Sequence, residues 1–474
     1  MIELYDYQNE YVNSIRNSFI EGKKRVVLCS ATGSGKTVMF SFITKQTIER
    51  GKRILILTDR KELFSQSSGS LIRMDLHPSE IKPNTKVDFS KNLYVAMVQT
   101  FMRRISKPEY QDLLHSIDLI IIDEAHKAIF DPLFRFVSDK TFVIGATATP
   151  HREGKQESLE KFYDDIIQVI DTPDLILKGK LSHCTSYGVK VDLSGIKTKG
   201  GDYDEKSMAD KFSEIKLFHG VYENYNRICN GKKAIVFAPN VDSSRELVND
   251  WSDKGLQVKH VDCYMSDLER KSIIEWFTKT DGAIISNYGI LTTGFDVPNI
   301  EVVILYRATK SLPLFLQMAG RGSRISDGKN GFTILDFGNN IKRHNYWEEP
   351  RLWTLKKKEK KQGEAPIKEC PKCAYLLYAS IMECPECGHQ FEKSEKEKEE
   401  QVMAELVLMS GSDIKKLADK SSIKELILIQ QSKGYAKSWI YYYLKSKEDY
   451  IEYGKLMKYH YKWAINQIKF RNIC

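Results

Sequence analysis

Short apolar runs rich in Val and Ile alternate with longer helix-patterned stretches, and this rhythm constrains the fold more than any other property of the chain. RVVLCS (25–30), RILILT (53–58), LYVAMVQT (93–100), IDLIIID (117–123) and TFVIGAT (141–147) form one series. KAIVFA (233–238), VKHVD (258–262), GAIISN (282–287), VVILY (302–306) and FTILDF (332–337) form a second. Strands spaced by helices make parallel α/β units. Between the series, DLSGIKTKGGDYDEKS (192–207) is polar and Gly-containing, and reads as an irregular connection. The expectation is therefore α/β, with a first domain over 1–190, a connection over 191–215 and a second domain over 216–353. A chain of 474 residues suits two large domains and an appendage better than one core.

Composition removes several classes of protein. With 42% hydrophobic and 28% charged residues the chain reads as globular and soluble. MIELYDYQNEYV at the start lacks a basic segment followed by an apolar run, and nowhere do about eighteen apolar residues follow one another. Secretion and membrane spanning are thus disfavoured, leaving the cytoplasm as the expected address. Nine cysteines, an odd number in a chain without a secretion signal, argue for reduced thiols. A formal charge of +9 suits an anionic partner and equally suits plain solubility.

The first strand runs into SATGSGKT (30–37), which opens an amphipathic helix. Glycines at 33 and 35 let backbone N–H groups approach phosphate oxygens, and the helix start adds its positive dipole end. Lys36 would reach the terminal phosphates of a nucleotide and Thr37 would ligate Mg²⁺, with Thr32, Gly33, Ser34 and Gly35 forming the cradle. Ser30 stands where the strict pattern has Gly; a Gly-rich turn with no nucleotide is the alternative. IIIDEAH (120–126) then puts two carboxylates at the C-terminal edge of a parallel sheet, where open α/β folds bind ligands. Asp123 would hold the Mg²⁺ shell and Glu124 would orient and deprotonate the attacking water. His126 is either a structural histidine or a link between the γ-phosphate and the second domain.

ATGSGKT, DEAH, GATATP (145–150), TTGFDVP (292–298) and QMAGRGSR (317–324), in that order, resemble the superfamily-two helicases. LTTGFDVP, QMAGRGSR and ILDFGNNIKRH (334–344), followed by four cysteines, are most similar to the RadD group, relatives of XPB-type and type III restriction motors. The resemblance covers about residues 1–387 and is strongest over 266–344. It implies two tandem RecA-like domains, ATP and Mg²⁺ as cofactors, and nucleic-acid-stimulated ATP hydrolysis. It also implies that Gln8 reads adenine, although Tyr5 stands where an arginine is common. Thr147 and Thr149 would couple hydrolysis to domain closure; Gly294 and Asp296 would sense nucleotide and strand. Arg321 and Arg324 look like arginine fingers with Gln317 as companion. A cation from a second, mobile domain ties hydrolysis to closure and contributes on the order of 10³-fold or more to rate.

By the same resemblance, nucleic-acid contacts fall on TDRKEL (58–63), VQTFMRR (98–104) and APN (238–240), with Arg60, Gln99, Thr100 and Arg103 on phosphate and sugar. Such contacts are independent of base sequence and strongly salt-dependent. After a charged linker (354–368) comes ECPKCAYLLYASIMECPECGHQ (369–390). Cys370, Cys373, Cys384 and Cys387 have the pairwise spacing of a tetrahedral site, Zn²⁺ being the expected ion and an Fe–S cluster the alternative. His389 could replace a cysteine as ligand. A helical region (391–474) completes the chain, where KGYAKSWIYYYLK (433–445) and YGKLMKYHYKWAINQIKF (453–470) interleave aromatics with lysines. They read either as stacking and phosphate contacts or as the inward face of a small bundle.

The function expected is an ATP-dependent DNA helicase or translocase in repair, recombination or replication, in a bacterial or phage-infected cell. Its partners would be single-stranded, forked or branched DNA and a single-stranded-DNA-binding or replication protein, with no membrane. An RNA-directed DEAH-type helicase, a restriction-complex motor and a non-catalytic zinc adaptor are the rivals.

Overall fold

In the computed structural model, residues 3–83, 85–152, 156–188, 193, 195–199, 201–213, 215–292, 297–356, 367–391, 418–433, 437–457 and 467 are described. The chain divides into Met1–Ala379 and Ser380–Cys474. In the first, strands β1 (Arg25–Cys29), β2 (Ile54–Thr58), β3 (Ser79–Ile81), β4 (Leu93–Met97), β5 (Leu119–Asp123), β6 (Phe142–Thr147) and β7 (Asp165–Ile167) build one sheet. Its order is β3-β4-β2-β5-β6-β1-β7, and every pairing is parallel. All five residues of β5 are buried, because helices cover both faces of the sheet. Val26 and Leu28 enter one apolar cluster while Val27 and Cys29 enter another, as the two-residue period of a strand requires.

The second sheet takes β8 (Cys184–Gly188), then β11 (Ala234–Phe237), β12 (Val258–Asp262), β13 (Ile284–Tyr288), β14 (Val302–Leu305) and β15 (Phe332–Asp336). Its order is β12-β13-β11-β14-β15-β8, again wholly parallel. These are the two RecA-like lobes that the motif order implied. β8 pairs along β15, so the chain has already left the first sheet by residue 184, earlier than the expected limit at 190. The stretch 191–215 is also more regular than expected: β9 (Thr198–Lys199) and β10 (Asp202–Tyr203) form a hairpin, and Glu205–Phe212 is a helix capped by Asp204. The hairpin is tied to the second lobe, since the Asp202 carboxylate accepts from Thr309 Oγ1 and Lys310 N, each at 2.6 Å.

After β15 the segment 345–356 returns to the first lobe. Gln168 Nε2 donates to Arg351 O at 2.7 Å, Gln168 Oε1 accepts from Trp353 N at 3.1 Å, and Ser158 Oγ donates to Leu355 O at 2.8 Å. β16 (Ile367–Glu369) and β17 (Leu376–Tyr378) then pair as an antiparallel ribbon.

Within Ser380–Cys474, the helices Ile423–Lys433 and Lys447–Leu456 and the 3₁₀ turn Lys437–Tyr442 enclose a small core of Leu426, Ile429, Ile440, Leu444, Tyr450 and Tyr453. Tyr441 packs against Tyr450 and Tyr453, and Trp439 against Tyr443. In the described part of the tail, then, aromatics serve the core of a bundle. No helix among the described residues is long and apolar enough to cross a membrane.

Candidate nucleotide site and metal centre

β1 delivers the chain to the loop 30–35, and helix Lys36–Glu49 leaves it. Gly33 and Gly35 have φ of +87° and +84°, conformations that side-chain-bearing residues adopt only with strain. A Cβ on Gly35 would lie 2.5 Å from Gln8 Nε2, so a larger residue would push the Gln8 amide out of place. The helix N-cap has no side-chain partner, which leaves first-turn amides to face an anion. Lys36 Nζ lies 3.0 and 3.1 Å from the Ser30 and Ala31 carbonyl oxygens, at the mouth of the loop. Burial pulls this ammonium below its ordinary range, against the opposing charges of Glu124 and Asp123. Thr32 and Thr37 are half-buried beside it, and Ser34 is buried with its Oγ 2.8 Å from Ser30 Oγ.

Gln8 is buried and committed at both ends: Oε1 accepts from Tyr5 N at 3.1 Å, and Nε2 donates to Ser34 O at 3.1 Å. Tyr7 hydroxyl donates to the same Ser34 carbonyl at 2.8 Å. The N-terminal helix Asp6–Ile20 thus braces the loop.

Asp123 ends β5 and is buried. Burial, with the neighbouring Glu124 charge, pushes its carboxyl up to about 7. A carboxylate so placed gains from a cation, which is what a divalent ion held through Asp123 and Thr37 would supply. Glu124 has φ +54°, left-handed for a residue with a Cβ, and backbone strain of this kind collects at functional sites. Burial opposes its charge, but His126, Lys36, Lys127 and Arg321 together hold its carboxyl below the usual range. His126 Nδ1 is 2.8 Å from Thr147 Oγ1 and 3.4 Å from Glu124 Oε2, and burial depresses the imidazole to about 4. Thr147 Oγ1 also accepts from Thr149 N at 3.0 Å, so 123–126 and 147–149 are physically joined.

Sequence reasoning missed Arg152, which holds the 124–126 turn from behind. It is buried, donates to His126 O at 2.8 Å, and grips both oxygens of Asp131 at 3.0 and 2.7 Å. The clue was a basic residue two positions after TATP.

From the second lobe, helix Leu312–Ala319 carries Gln317, buried, to the turn bearing Arg321 and Arg324. A Cβ on Gly320 would lie 3.0 Å from Thr32 Cβ, so this turn rests on the phosphate loop. Arg321 is buried, donates to Thr292 O, and influences the ionisation of both Lys36 and Glu124. The turn's carbonyls are held from elsewhere. Lys329 Nζ donates to Gly322 O at 2.5 Å, Arg324 O at 2.7 Å and Pro298 O at 3.2 Å. Ser182 adds N–H to Ser323 O at 2.7 Å and Oγ to Arg324 O at 2.9 Å. Burial, then the Arg324 charge, lowers the Lys329 ammonium to about 8. Neither Lys329 nor Ser182 lies in a motif, and nothing in the sequence pointed to them. Gly294 and Asp296 lie outside the described residues.

The expected nucleic-acid positions lie at the C-terminal edge of the first sheet, beyond β2 and β4. Arg60 and Thr100 are half-buried and Arg103 is exposed, whereas Gln99 Nε2 donates to Asp59 O at 2.8 Å. Lys61 forms an ion pair with Asp267 across the lobes. Asn240 caps helix Val241–Asp253 by accepting from Ser243 N at 2.7 Å.

Cys370, Cys373, Cys384 and Cys387 bring their sulfurs within 4.8 Å of one another. Tetrahedral thiolate sites with metal–sulfur bonds near ~2.3 Å need such proximity. Both pairs use one local design. Cys370 N donates to Tyr375 O and Cys370 O accepts from Ala374 N, both at 2.9 Å; Cys384 repeats this with His389 O and Gly388 N, both at 2.9 Å. The residue after each second cysteine is left-handed, Ala374 at φ +66° and Gly388 at +67°. These four residues can hold a metal ion, and His389 is not needed as a ligand.

Residues 1–152 match the family described as type III restriction enzyme, res subunit, and residues 218–326 match the helicase conserved C-terminal domain. A 51.5 kDa protein of a Lactococcus phage is 31% identical over 395 residues, covering 81% of this chain and 82% of that protein. A Saccharomyces cerevisiae protein named as a candidate ATP-dependent helicase, IRC3, is 30% identical over 365 residues, covering 70% of this chain. The chain spans about half (51%) of that yeast protein. Among solved structures, a fragment of a candidate HsdR subunit of a type I restriction enzyme from Vibrio vulnificus superposes with a TM-score of 0.57 at 24% identity, covering 73% of this chain and 66% of the fragment.

Proposed function

We infer an activity from the premise that the chain belongs to the superfamily-two helicases related to restriction motor subunits: it is an ATP-driven motor that moves along, or remodels, DNA. The observation that carries this reading is one electrostatic neighbourhood with two sources. Lys36 and Glu124 come from the first lobe, and the buried Arg321 comes from the second on a turn that packs against Thr32 of the phosphate loop. Charge that develops on a transferring γ-phosphate is stabilised best by donors already in place, and a donor on the second lobe makes stabilisation depend on closure. Glu124 takes the role of base and water-orienting group, Lys36 and the loop amides hold the phosphates, and Arg321 with Arg324 completes the site. Mg²⁺, held by Asp123 and Thr37, would supply charge neutralisation. His126, bonded to Thr147, passes the state of the site to the 147–149 segment.

DNA is favoured over RNA by the restriction-enzyme character of the matched family. Arg60, Thr100 and Arg103 are the phosphate contacts of this reading, and repair or recombination its setting. ATPase rates with single-stranded, duplex and forked DNA and with RNA test it. The wild-type protein should be stimulated by DNA, while Glu124→Gln should bind ATP and lose turnover by about 10³-fold. Full DNA-stimulated turnover in a pure Glu124→Gln preparation would overturn the role of Glu124, and stimulation by RNA alone would overturn the choice of DNA. The family match also supports a second reading, a motor subunit of a restriction complex, which co-purification with nuclease and methylation partners would establish.

Zn²⁺ fits the four thiolates best: the set is all sulfur, closed and built from two like turns. Replacing Cys370 and Cys373 by Ser should release one zinc per chain, read by metal analysis, and leave ATP binding intact.

A further inference from the structure

The second lobe contains a buried Ser–His–Asp hydrogen-bond chain that the ATP site does not use. Ser244 Oγ is 2.7 Å from His260 Nδ1, and His260 Nε2 is 2.8 Å from Asp262 Oδ2. Ser244 and Asp262 are fully buried and His260 nearly so, which rules out Ser244 as a nucleophile toward any substrate from solution. The chain ends on backbone: Asp262 Oδ1 accepts from Tyr264 N at 2.8 Å and from Met265 N at 3.0 Å. A polar network of this depth is costly unless every member is satisfied, and here it fixes one surface turn. That turn presents Tyr264 at 79% exposure, and Leu268 in the first turn of the following helix, Asp267–Lys279, is 81% exposed.

Single exposed apolar side chains are ordinary. The surroundings of this one are less so. The turn follows the C-terminal end of β12, the edge at which α/β sheets bind ligands. Asp267, between Tyr264 and Leu268, pairs with Lys61 of the first lobe, so the turn stands where the two lobes meet. Lys61 and Arg270 both pair with Asp267 and Arg60 pairs with Asp59, while Lys271 is exposed on the helix that follows the turn. Tyr288, opposite Asp262 in the sheet register and close enough to Tyr264 to interact electrostatically, hydrogen-bonds Glu205.

We propose that Tyr264 is a stacking platform for one unpaired base of single-stranded nucleic acid whose phosphates run along Arg60, Lys61 and Arg270. Aromatic platforms beside basic grooves bind unpaired bases without sequence preference. The backbone amide of Tyr264 is fixed by Asp262, so the main chain under the ring is ordered before binding. The proposal rests on the nucleic-acid reading above and adds to it a site for a base.

The test uses the full-length protein and a single-stranded oligodeoxynucleotide carrying 2-aminopurine, with affinity and quenching followed over a salt series. Tyr264→Ala should weaken binding about tenfold and reduce quenching, with the slope of log affinity against log salt unchanged. Tyr264→Phe should stay within about twofold of wild type. Arg60→Ala should instead lower the salt slope by about one. Tight wild-type binding that Tyr264→Ala leaves intact overturns this inference alone. Failure of the wild-type protein to bind any single strand overturns it together with the nucleic-acid reading.

Discussion

The two halves of the nucleotide cleft are held in different ways. In the first lobe, the phosphate loop and the acidic turn carry special backbone, Gly33 and Gly35 at positive φ and Glu124 strained at φ +54°, which Gln8, Tyr7 and Arg152 brace from outside the motifs. In the second, no residue of the arginine-bearing turn 320–324 has positive φ, and within it Ser323 Oγ donates to Gly320 O at 2.8 Å. Its carbonyls are gathered by Lys329 and Ser182, which lie outside QMAGRGSR. A half-site built from backbone conformation is rigid by sequence, whereas one built from borrowed side chains is only as firm as those contacts. The second half belongs to the lobe that must move, so a clamp made of side-chain bonds suits it.

The largest effect should come from breaking the backbone device. Gly35→Ala puts a Cβ 2.5 Å from Gln8 Nε2 and asks alanine to hold φ +84°. Left-handed backbone costs about 1–2 kcal/mol before the clash is counted, and a displacement of ~1 Å at a reacting centre can cost ~10²-fold. ATPase kcat/KM should fall by about 10²-fold or more, and ATP affinity, read by titration calorimetry, should fall with it. An alanine variant with normal affinity would mean that the loop is held by its neighbours after all, as the second half is.

Lys329→Met tests the borrowed clamp. Each bond to a charged donor contributes about 1.5–3 kcal/mol, and part of the loss is recovered by water, so kcat should drop about tenfold with KM for ATP little changed. The wild-type pH profile adds a sharper reading. Burial beside Arg324, with Glu301 the nearby acid, brings Lys329 to about 8. Below that pH the ammonium offers three N–H groups to three carbonyls; above it the amine offers two. Turnover should therefore decline as pH rises through about 8, and Lys329→Met should lack that limb. Stability moves the other way. A lysine depressed in the folded state binds its proton more readily when unfolded, so its contribution to folding rises between about 8 and about 10.4. Alkaline loss of turnover thus separates from unfolding, and a thermal melt at each pH distinguishes the two.

The same contrast explains what could be read from the sequence. Continuous Val/Ile runs identify ten buried parallel strands because both faces of each sheet are covered, and the P-loop and DEAH residues are contiguous because one turn of backbone makes each device. β3 and β7 have three residues each and β8, CTSYG, is poor in aliphatics, so none carries that signal. Lys329 sits in DGKNG, which reads as any polar turn; only the fold brings its ammonium to Gly322 and Arg324. Asn240 in APN caps the helix Val241–Asp253, a role that uses the same amide chemistry as a nucleic-acid contact. The aromatic and lysine stretch near 440 left open whether its rings face a strand or a core. Trp439, Tyr441 and Tyr443 are half-buried and pack against the core of Ile440, Leu444, Tyr450 and Tyr453.

The smallest effect isolates one bond of the clamp. Ser182→Ala removes the Oγ bond to Arg324 O but keeps the Ser182 N–H bond to Ser323 O, because the latter is backbone. A single neutral hydrogen bond contributes about 1 kcal/mol, and Lys329 still holds the same carbonyl, so kcat should fall by about threefold or less. The double variant with Lys329→Met then measures whether the two act as a unit. Two independent supports would multiply their losses; two supports of one carbonyl should couple, since either alone keeps Arg324 O in place while loss of both frees the turn. A double variant whose loss clearly exceeds the product of the single losses would establish the borrowed clamp as one device. A loss equal to the product would return each residue to an ordinary local contact, and the contrast between the two half-sites would then rest on backbone strain alone.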